Sequence, residues 1–154
     1  MILLRDRAFG IYIFFMGMFG PWGSDMLAYF SGRLFGRHKL IPDVSPKKTV
    51  EGSIGGALFC GIAAVTFGYV VSCIDPSITE IRYLRLFVAG LIISIVSQIG
   101  DLIASYIKRK YEVKDYGNIL PGHGGILDRF DSVLTTMPVM VMMGEIPHIF
   151  DFFG

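Results

Sequence analysis

The stretch SYIKRKYEVKDYGNILPGHGGILDRFDS, residues 105–132, is dense in charge and glycine and lies between two long apolar runs. Its first half contains four cations: Lys108, Arg109, Lys110 and Lys114. The glycines around His123 allow backbone N–H groups to approach an anion closely, as in glycine-rich phosphate loops. Lysine and arginine add charge-assisted bonds to phosphate oxygens, and a divalent cation can join carboxylates to phosphate. The stretch therefore predicts a phosphate site with a bridging metal.

The composition of the whole chain indicates a membrane protein. Its 154 residues are 53% hydrophobic and 18% charged, and the mean hydropathy is +0.57. Soluble domains usually contain about 25% charged residues. The formal net charge is only +1, so there is no overall basic field of the kind that attracts nucleic acid. We therefore expect a lipid bilayer, and no nucleic acid, among the partners of this chain.

Four apolar segments are long enough to cross a bilayer, since about 20 helical residues span its 30 Å core. They cover residues 8–35, 52–74, 83–106 and 128–150. Pro21, flanked by glycines, predicts a kink or break in the first segment. The sequence thus predicts an all-α, polytopic integral membrane protein. It would form one membrane-embedded region over residues 1–154, with about four transmembrane helices, the first one broken.

Two polar loops, residues 36–51 and 107–127, hold most of the 14 basic residues. Because cytoplasmic loops are enriched in lysine and arginine, we expect both loops on the cytoplasmic side of the cell membrane. In the first loop, Ser45 followed by Pro46 is also the pattern of a helix start, with Ser45 as the N-cap. Lys48 stands where a capping box would have Glu or Gln, so that interpretation is incomplete.

Two aspartates fall inside or near apolar segments, where a charge costs about 2.5–3.5 kcal/mol on insertion scales. Asp25 shares a helix face with Tyr29 and Arg33, and Asp101 follows a run of polar residues at helical spacing. Such residues usually face a polar cavity. Asp101 and Asp128 flank the second loop, so together they could bind a hard cation.

Plainer interpretations of the same residues stay open. Asp128 could simply favour a helix N-terminus, and the cations beside the apolar segments could bind anionic lipid headgroups. His123 is assigned to phosphate binding or to positioning of the loop, because a phosphate monoester is already ionised and needs no strong base.

The spacing within the opening stretch can be read residue by residue. It runs Ser105, Ile107, Lys108-Arg109, Lys114-Asp115, Gly117, Leu120-Pro121, His123-Gly124-Gly125-Ile126 and Asp128-Arg129-Phe130-Asp131. This pattern resembles the full signature of the phosphatidate cytidylyltransferases, also called CDP-diacylglycerol synthases. Two upstream blocks, Trp22-Gly23-Ser24-Asp25 and Ser45-Pro46-Lys47-Lys48-Thr49, are similar to the same family. The resemblance extends over about residues 22–132.

The resemblance implies a transferase that joins CTP and phosphatidic acid, giving CDP-diacylglycerol and pyrophosphate. It implies Mg²⁺ held by Asp101 and Asp128, with the need for a second cation left open. It places Lys114 and Arg129 beside those aspartates as catalytic residues. The expected substrate-binding residues are Asp25, Ser45, Lys48, Thr49, Ser105, Lys108, Arg109, Asp115, His123, Gly124, Gly125 and Asp131.

Members of that family have further apolar spans before the Trp22 block, so we expect the family's N-terminal spans to be absent from this chain. Three other functions remain as alternatives. They are a CTP-dependent enzyme acting on another lipid (a polyprenol kinase or an archaeal-lipid cytidylyltransferase), a non-catalytic fragment or lipid-binding subunit, and an ion or solute transporter. A transporter would leave the charged, glycine-rich loop unexplained. A homodimer is an open alternative to a monomer.

Overall fold

The computed structural model describes residues 10–76, 78, 80–112 and 127–145, and in the last range it describes the side chains of residues 130–143. Four helices and one small hairpin follow in chain order. They are α1 (Gly10–Phe35), β1 (Lys39–Ile41), β2 (Ser45–Thr49), α2 (Val50–Ile74), α3 (Tyr83–Lys110) and α4 (Leu127–Glu145). The predicted helical character is confirmed, because one of these helices covers most of each apolar segment of the sequence.

The break predicted near Pro21 is wrong, because α1 is one continuous helix of 26 residues. The alternative, a kink, stays a prediction. Proline lacks an N–H, so the carbonyl of Gly17 loses its regular helical donor. The Thr136 hydroxyl of α4 lies 3.4 Å from that carbonyl and also faces two carbonyls of its own helix. Pro21 is fully buried. The neighbouring helix thus places a hydroxyl near the carbonyl that lacks its regular donor.

The helices α1 and α2 approach each other closely because glycine occupies their contact. A Cβ atom added to Gly52 would lie 2.7 Å from the Ala28 carbonyl oxygen and 2.9 Å from the Gly32 Cα atom. One added to Gly56 would lie 2.7 Å from the Ala28 Cβ atom. Real Cβ atoms do not approach so closely. Small residues allow this kind of backbone contact in membrane helices.

The third helix, α3, changes character along its length. Near its start, Leu86, Ala89 and Ile93 are almost fully buried in an apolar core that α1, α2 and α4 complete. From Ser94 to Gln98, the buried side chains are polar. The Ser94 hydroxyl lies 2.5 Å from that of Ser24, and Gln98 donates to Ser94 at 2.9 Å. This hydrogen-bonded layer separates the apolar core from the polar end of the bundle.

The loop between α1 and α2 forms a β-hairpin, so the all-α expectation is wrong at this point. Pro42 and Asp43 are the central residues of a turn closed by the Val44 N–H donating to the Ile41 carbonyl at 3.3 Å. Proline is favoured at this turn position. The strands are antiparallel, with Lys39 opposite Thr49 and Ile41 opposite Ser45.

The N-cap of α2 is Thr49, and the interpretation of Ser45 as a helix N-cap is wrong. The Thr49 hydroxyl accepts from the Gly52 N–H at 3.1 Å, whereas Ser45 begins strand β2. Pro46 within β2 is tolerated because the sheet has only two strands, and both are edges.

Among the described residues, α2 and α3 are the helices that are both long and apolar enough to cross a membrane, each with a mean hydropathy of 2.1 over its most apolar 18 residues. The apolar part of α4 is shorter, at Phe130–Met143. Large apolar side chains are exposed on the outside of the bundle, for example Leu34 at 74% and Leu84 at 76%. The expected total of four spans stays a prediction.

Replacing Gly56 by alanine should destabilise the bundle, because the new Cβ atom would meet Ala28 at 2.7 Å and the helices would have to separate. We expect a loss of about 1–3 kcal/mol, the usual cost of overpacking. The matched control is Gly23→Ala, where no atom lies within 4 Å of the added Cβ. Thermal unfolding in detergent measures both variants. Equal melting temperatures for the two would contradict the close contact.

Replacing Thr136 by valine should cost about 0.5–1.5 kcal/mol, since the Gly17 carbonyl would lose its contact with the hydroxyl. In a Pro21→Ala background the helical N–H returns, so the same substitution should cost less. The four melting temperatures of this double-mutant cycle give the comparison. Strict additivity would show that Thr136 does not compensate for Pro21.

Candidate active site

The polar end of the bundle encloses a cavity of about 550 Å³. The end of α1, the hairpin, the start of α2 and the later part of α3 form its walls. Its charged lining residues are Asp25, Arg33, Arg37, Lys39, Lys47, Lys48 and Asp101. Five positive side chains against two carboxylates give the lining a formal charge of +3. The cavity is therefore suited to an anionic ligand, and its volume is within the roughly 300–1,000 Å³ typical of small-molecule sites.

In the lining of this cavity, Lys48 of the hairpin contacts Asp101 of α3. The Lys48 Nζ atom lies 2.5 Å from Asp101 Oδ2, and both side chains are mostly buried, at 22% and 27% exposure. The Nζ atom is shielded from solvent. An ammonium group has three donors, so it could also donate to a ligand oxygen if the side chain moved to expose it.

Two further carboxylates lie near this ion pair. Asp25 is close enough to Lys48 and Asp101 to interact with them electrostatically, and Asp101 interacts in the same way with Asp131 of α4. The Ser132 hydroxyl lies between Asp25 of α1 and Asp131 of α4, 3.5 Å from Asp25 Oδ2 and 3.3 Å from Asp131 Oδ1. The α1, α3 and α4 helices thus bring one carboxylate each to the same end of the bundle.

Lys108 balances part of this negative charge. Its Nζ atom lies 4.0 Å from Asp131 Oδ2, and both side chains are largely buried, at 14% and 11% exposure. This contact connects the last turns of α3 with the first turns of α4, on either side of the loop that the sequence singled out.

Carboxylate oxygens such as those of Asp25, Asp101 and Asp131 are the type of ligand that a hard divalent cation prefers. Among the described residues, however, no three His, Cys, Asp or Glu side chains form a group that could hold one ion. Mg²⁺ commonly uses one or two carboxylates and takes its other ligands from substrate phosphates and water. Asp101 fits that arrangement. The Asp128 side chain, its expected partner, lies outside the described part of the chain.

The structure brings together one group of the residues expected from the sequence. Asp25, Ser45, Lys48, Thr49 and Asp101 line the cavity, and Asp25, Tyr29 and Arg33 share a face of α1 as predicted. The Thr49 hydroxyl caps α2, so its established contact is structural.

The other expected residues divide into two groups. Ser105, Lys108, Arg109 and Asp131 are described but do not line the cavity, and Arg109 is exposed. The second group lies outside the described residues or has no described side chain: Lys114, Asp115, His123, Gly124, Gly125, Asp128 and Arg129.

Gln98 is a cavity residue that sequence reasoning did not assign to the site. Its amide donates to the Ser53 carbonyl at 3.2 Å and to Ser94, and all three belong to the polar layer or to the cavity wall. The polar spacing along α3 was the available signal, since Gln98 follows Ser94 by one turn and precedes Asp101 by three residues. Gly32 and Gly52 also line the cavity. Their role follows only from helix contact, which the sequence does not display.

Known proteins resemble this chain over most of its length. A phosphatidate cytidylyltransferase of Bacillus subtilis is 44% identical over 135 residues, covering 88% of this chain and 48% of the relative. One from Staphylococcus saprophyticus is 42% identical over 140 residues, with coverages of 91% and 52%. One from Brucella melitensis is 41% identical over 145 residues, with coverages of 94% and 51%. The chain thus spans about half the length of the curated relatives it matches.

A solved structure described as an intramembrane enzyme for archaeal membrane lipids biosynthesis is a more distant match. It is 21% identical, has a TM-score of 0.48, and the match covers 86% of this chain and 82% of that one. A likeness at this level supports no assignment of function.

The family model of the cytidylyltransferases matches residues 1–146, nearly the whole chain. The two apolar helices of membrane-spanning length agree with this match. The chain is a membrane protein and belongs to the cytidylyltransferase family.

Proposed function

We propose that this chain forms the catalytic region of an enzyme that transfers the cytidylyl group of CTP to phosphatidic acid. A phosphate oxygen of the lipid would attack the α-phosphorus of CTP, and the bond to pyrophosphate would break. CDP-diacylglycerol and pyrophosphate are the products. The observation that carries the proposal is the basic cavity around the Lys48–Asp101 ion pair, at one end of apolar helices in a member of this family.

The charge of the cavity supports a nucleoside triphosphate as one substrate. A lining with a formal charge of +3 lowers the repulsion between two phosphate-bearing reactants. Lys48 lines the cavity and is held beside Asp101, so its positive charge contributes to the attraction for phosphate groups there. Catalysis of phosphoryl-type transfer depends mainly on such positioning and electrostatic stabilisation.

Mg²⁺ would be held by Asp101 and Asp128 and, when bound, would neutralise phosphate charge and stabilise the departing pyrophosphate. A second cation remains a prediction. On the protein side, Lys108 and Arg109 at the end of α3, with Lys114 and Arg129, would offset the remaining phosphate charge. The loop residues Asp115, His123, Gly124 and Gly125 would bind or position the phosphates, Gly124 and Gly125 through their backbone N–H groups.

The site is proposed to face the cytoplasm, since both polar loops are rich in lysine and arginine. The starts of α2 and α4 and the end of α3 meet at one end of the bundle, as contacts among Lys48, Asp101, Lys108 and Asp131 indicate. A cavity there could receive a water-soluble nucleotide from one side. The lipid substrate would enter from the bilayer, with its phosphate at the level of the cavity.

The direct test supplies the purified chain, in mixed micelles, with labelled CTP, phosphatidic acid and Mg²⁺ and looks for labelled CDP-lipid. Polyprenol replaces phosphatidic acid in one parallel reaction and an ether-linked archaeal lipid in another. Product from phosphatidic acid supports the proposal. Product only from another lipid, or no product from well-folded protein, would refute it for this chain.

Replacing Asp101 by asparagine should lower turnover at least about 100-fold, because the site loses the carboxylate that pairs with Lys48 and is expected to hold Mg²⁺. The matched control is Asp43→Asn, which removes a carboxylate from the exposed hairpin turn. Rates of CDP-lipid formation are compared for variants with the same elution profile on gel filtration. Activity of the Asp101 variant close to that of the control would remove Asp101 from the mechanism.

A further inference from the structure

Glu51, in the first turn of α2, forms a compact set of bonds with the segment that enters the hairpin. Its Oε2 atom accepts from the Arg37 N–H at 3.1 Å, and both of its oxygens lie 3.2 Å from the His38 N–H. The His38 ring nitrogen Nδ1 lies 2.6 Å from Oε1. One carboxylate therefore binds two successive backbone N–H groups and one side chain.

The same segment is also bound through its carbonyl group. The Val50 N–H donates to the His38 carbonyl at 3.0 Å. An acidic residue in the first turn of a helix ordinarily stabilises that helix through its own N–H groups and dipole. The α2 helix already has Thr49 as its cap, and the Glu51 carboxylate interacts with the backbone N–H groups of Arg37 and His38 as well as with its own. Glu51 therefore links the start of α2 to the segment that enters the hairpin.

The hairpin needs support of this kind. Its strands contain three and five residues, and an isolated two-stranded hairpin is at best marginally stable in water. Within it, Lys39 Nζ donates to the Pro46 carbonyl at 2.6 Å, and Lys39 is paired with Thr49. Fixing the segment before β1 therefore fixes β2 as well.

Lys48 belongs to β2, and its position over Asp101 depends on where that strand lies. We propose that Glu51 is a positioning residue: it ties residues 37 and 38 to the start of α2, and thereby holds Lys48 in the cavity for the phosphates of the nucleotide. The nucleotide part of this inference rests on the proposed function. The position of Lys48 can be tested without it.

The first experiment measures the reactivity of individual lysines toward an amine-acylating reagent, read by mass spectrometry. Lys110 is exposed and serves as the internal reference, whereas the shielded Lys48 amine should react more slowly. In Glu51→Gln, labelling of Lys48 relative to Lys110 should rise by about tenfold, as expected when charge-assisted hydrogen bonds are lost. Asp43→Asn, with the same charge change in the turn of the hairpin, should leave the ratio unchanged. An unchanged ratio in Glu51→Gln would overturn the proposal.

The second experiment separates positioning of Lys48 from general loss of structure. Steady-state kinetics with CTP are compared for Glu51→Gln, Lys48→Met and the double variant. If Glu51 acts through Lys48, Glu51→Gln raises KM for CTP by about tenfold with little change in kcat, and adds almost nothing in the Lys48→Met background. Effects that multiply independently in the double variant would show that Glu51 does not act through Lys48.

The two inferences fail in different ways. A wild-type chain that neither binds CTP nor forms CDP-lipid would refute the proposed function, while the labelling ratio would still decide whether Glu51 positions Lys48. Normal activity with an unchanged labelling ratio in Glu51→Gln would leave the function standing and refute the role of Glu51.

Discussion

The close contact of α1 and α2 at Gly52 is the constraint on which the polar end of this bundle depends. With no Cβ atom at this position, the α2 backbone lies against Ala28 and Gly32 of α1. The hairpin ends directly before α2, so this contact also determines how near β2 comes to Asp25. A larger residue at Gly52 would separate the carboxylate of one helix from the lysine that precedes the other. The packing of α1 against α2 therefore also determines the geometry of the site.

Burial gives the ion pair between Lys48 and Asp101 its importance. Charges within a low-dielectric bundle interact strongly, but removing them from water is costly, so pairing alone is no sign of stabilisation. Here the pair lies in a cavity whose lining carries a formal charge of +3. The α3 helix supports this arrangement with a layer of Ser94 and Gln98 that makes the transition from apolar core to polar cavity gradual. Such a transition allows a charged site to exist at the end of apolar helices.

Much of the fold could be predicted from the sequence because apolar length determines it. The four helices correspond to the four apolar segments, and the shared face of Asp25, Tyr29 and Arg33 follows from helical spacing alone. Pro21 misled the prediction, since α1 continues through the proline and its Gly17 carbonyl faces Thr136, which is distant in sequence. The hairpin was missed because its strands are short and contain a proline, and its support comes from Glu51 across the loop. In the site, Asp25 and Asp101 were found because charge is rare in apolar segments, and Lys48 was implied by the family resemblance, whereas Gln98 gives a weaker signal.

The unusual carbonyl of Gly17 has a consequence for the alignment of α4 beside α1. Thr136 of α4 faces that carbonyl. Ser132, one turn before Thr136 in α4, faces Asp25, which lies one turn after Pro21 in α1. A slip of α4 by one residue would shift it by about 1.5 Å and break both contacts together. An apolar interface alone would resist such sliding only weakly, because a contact with one apolar side chain can be replaced by a contact with another at little cost in free energy. The carbonyl exposed by the proline thus favours one axial position of α4, and with it the level at which Asp131 lies near the other carboxylates.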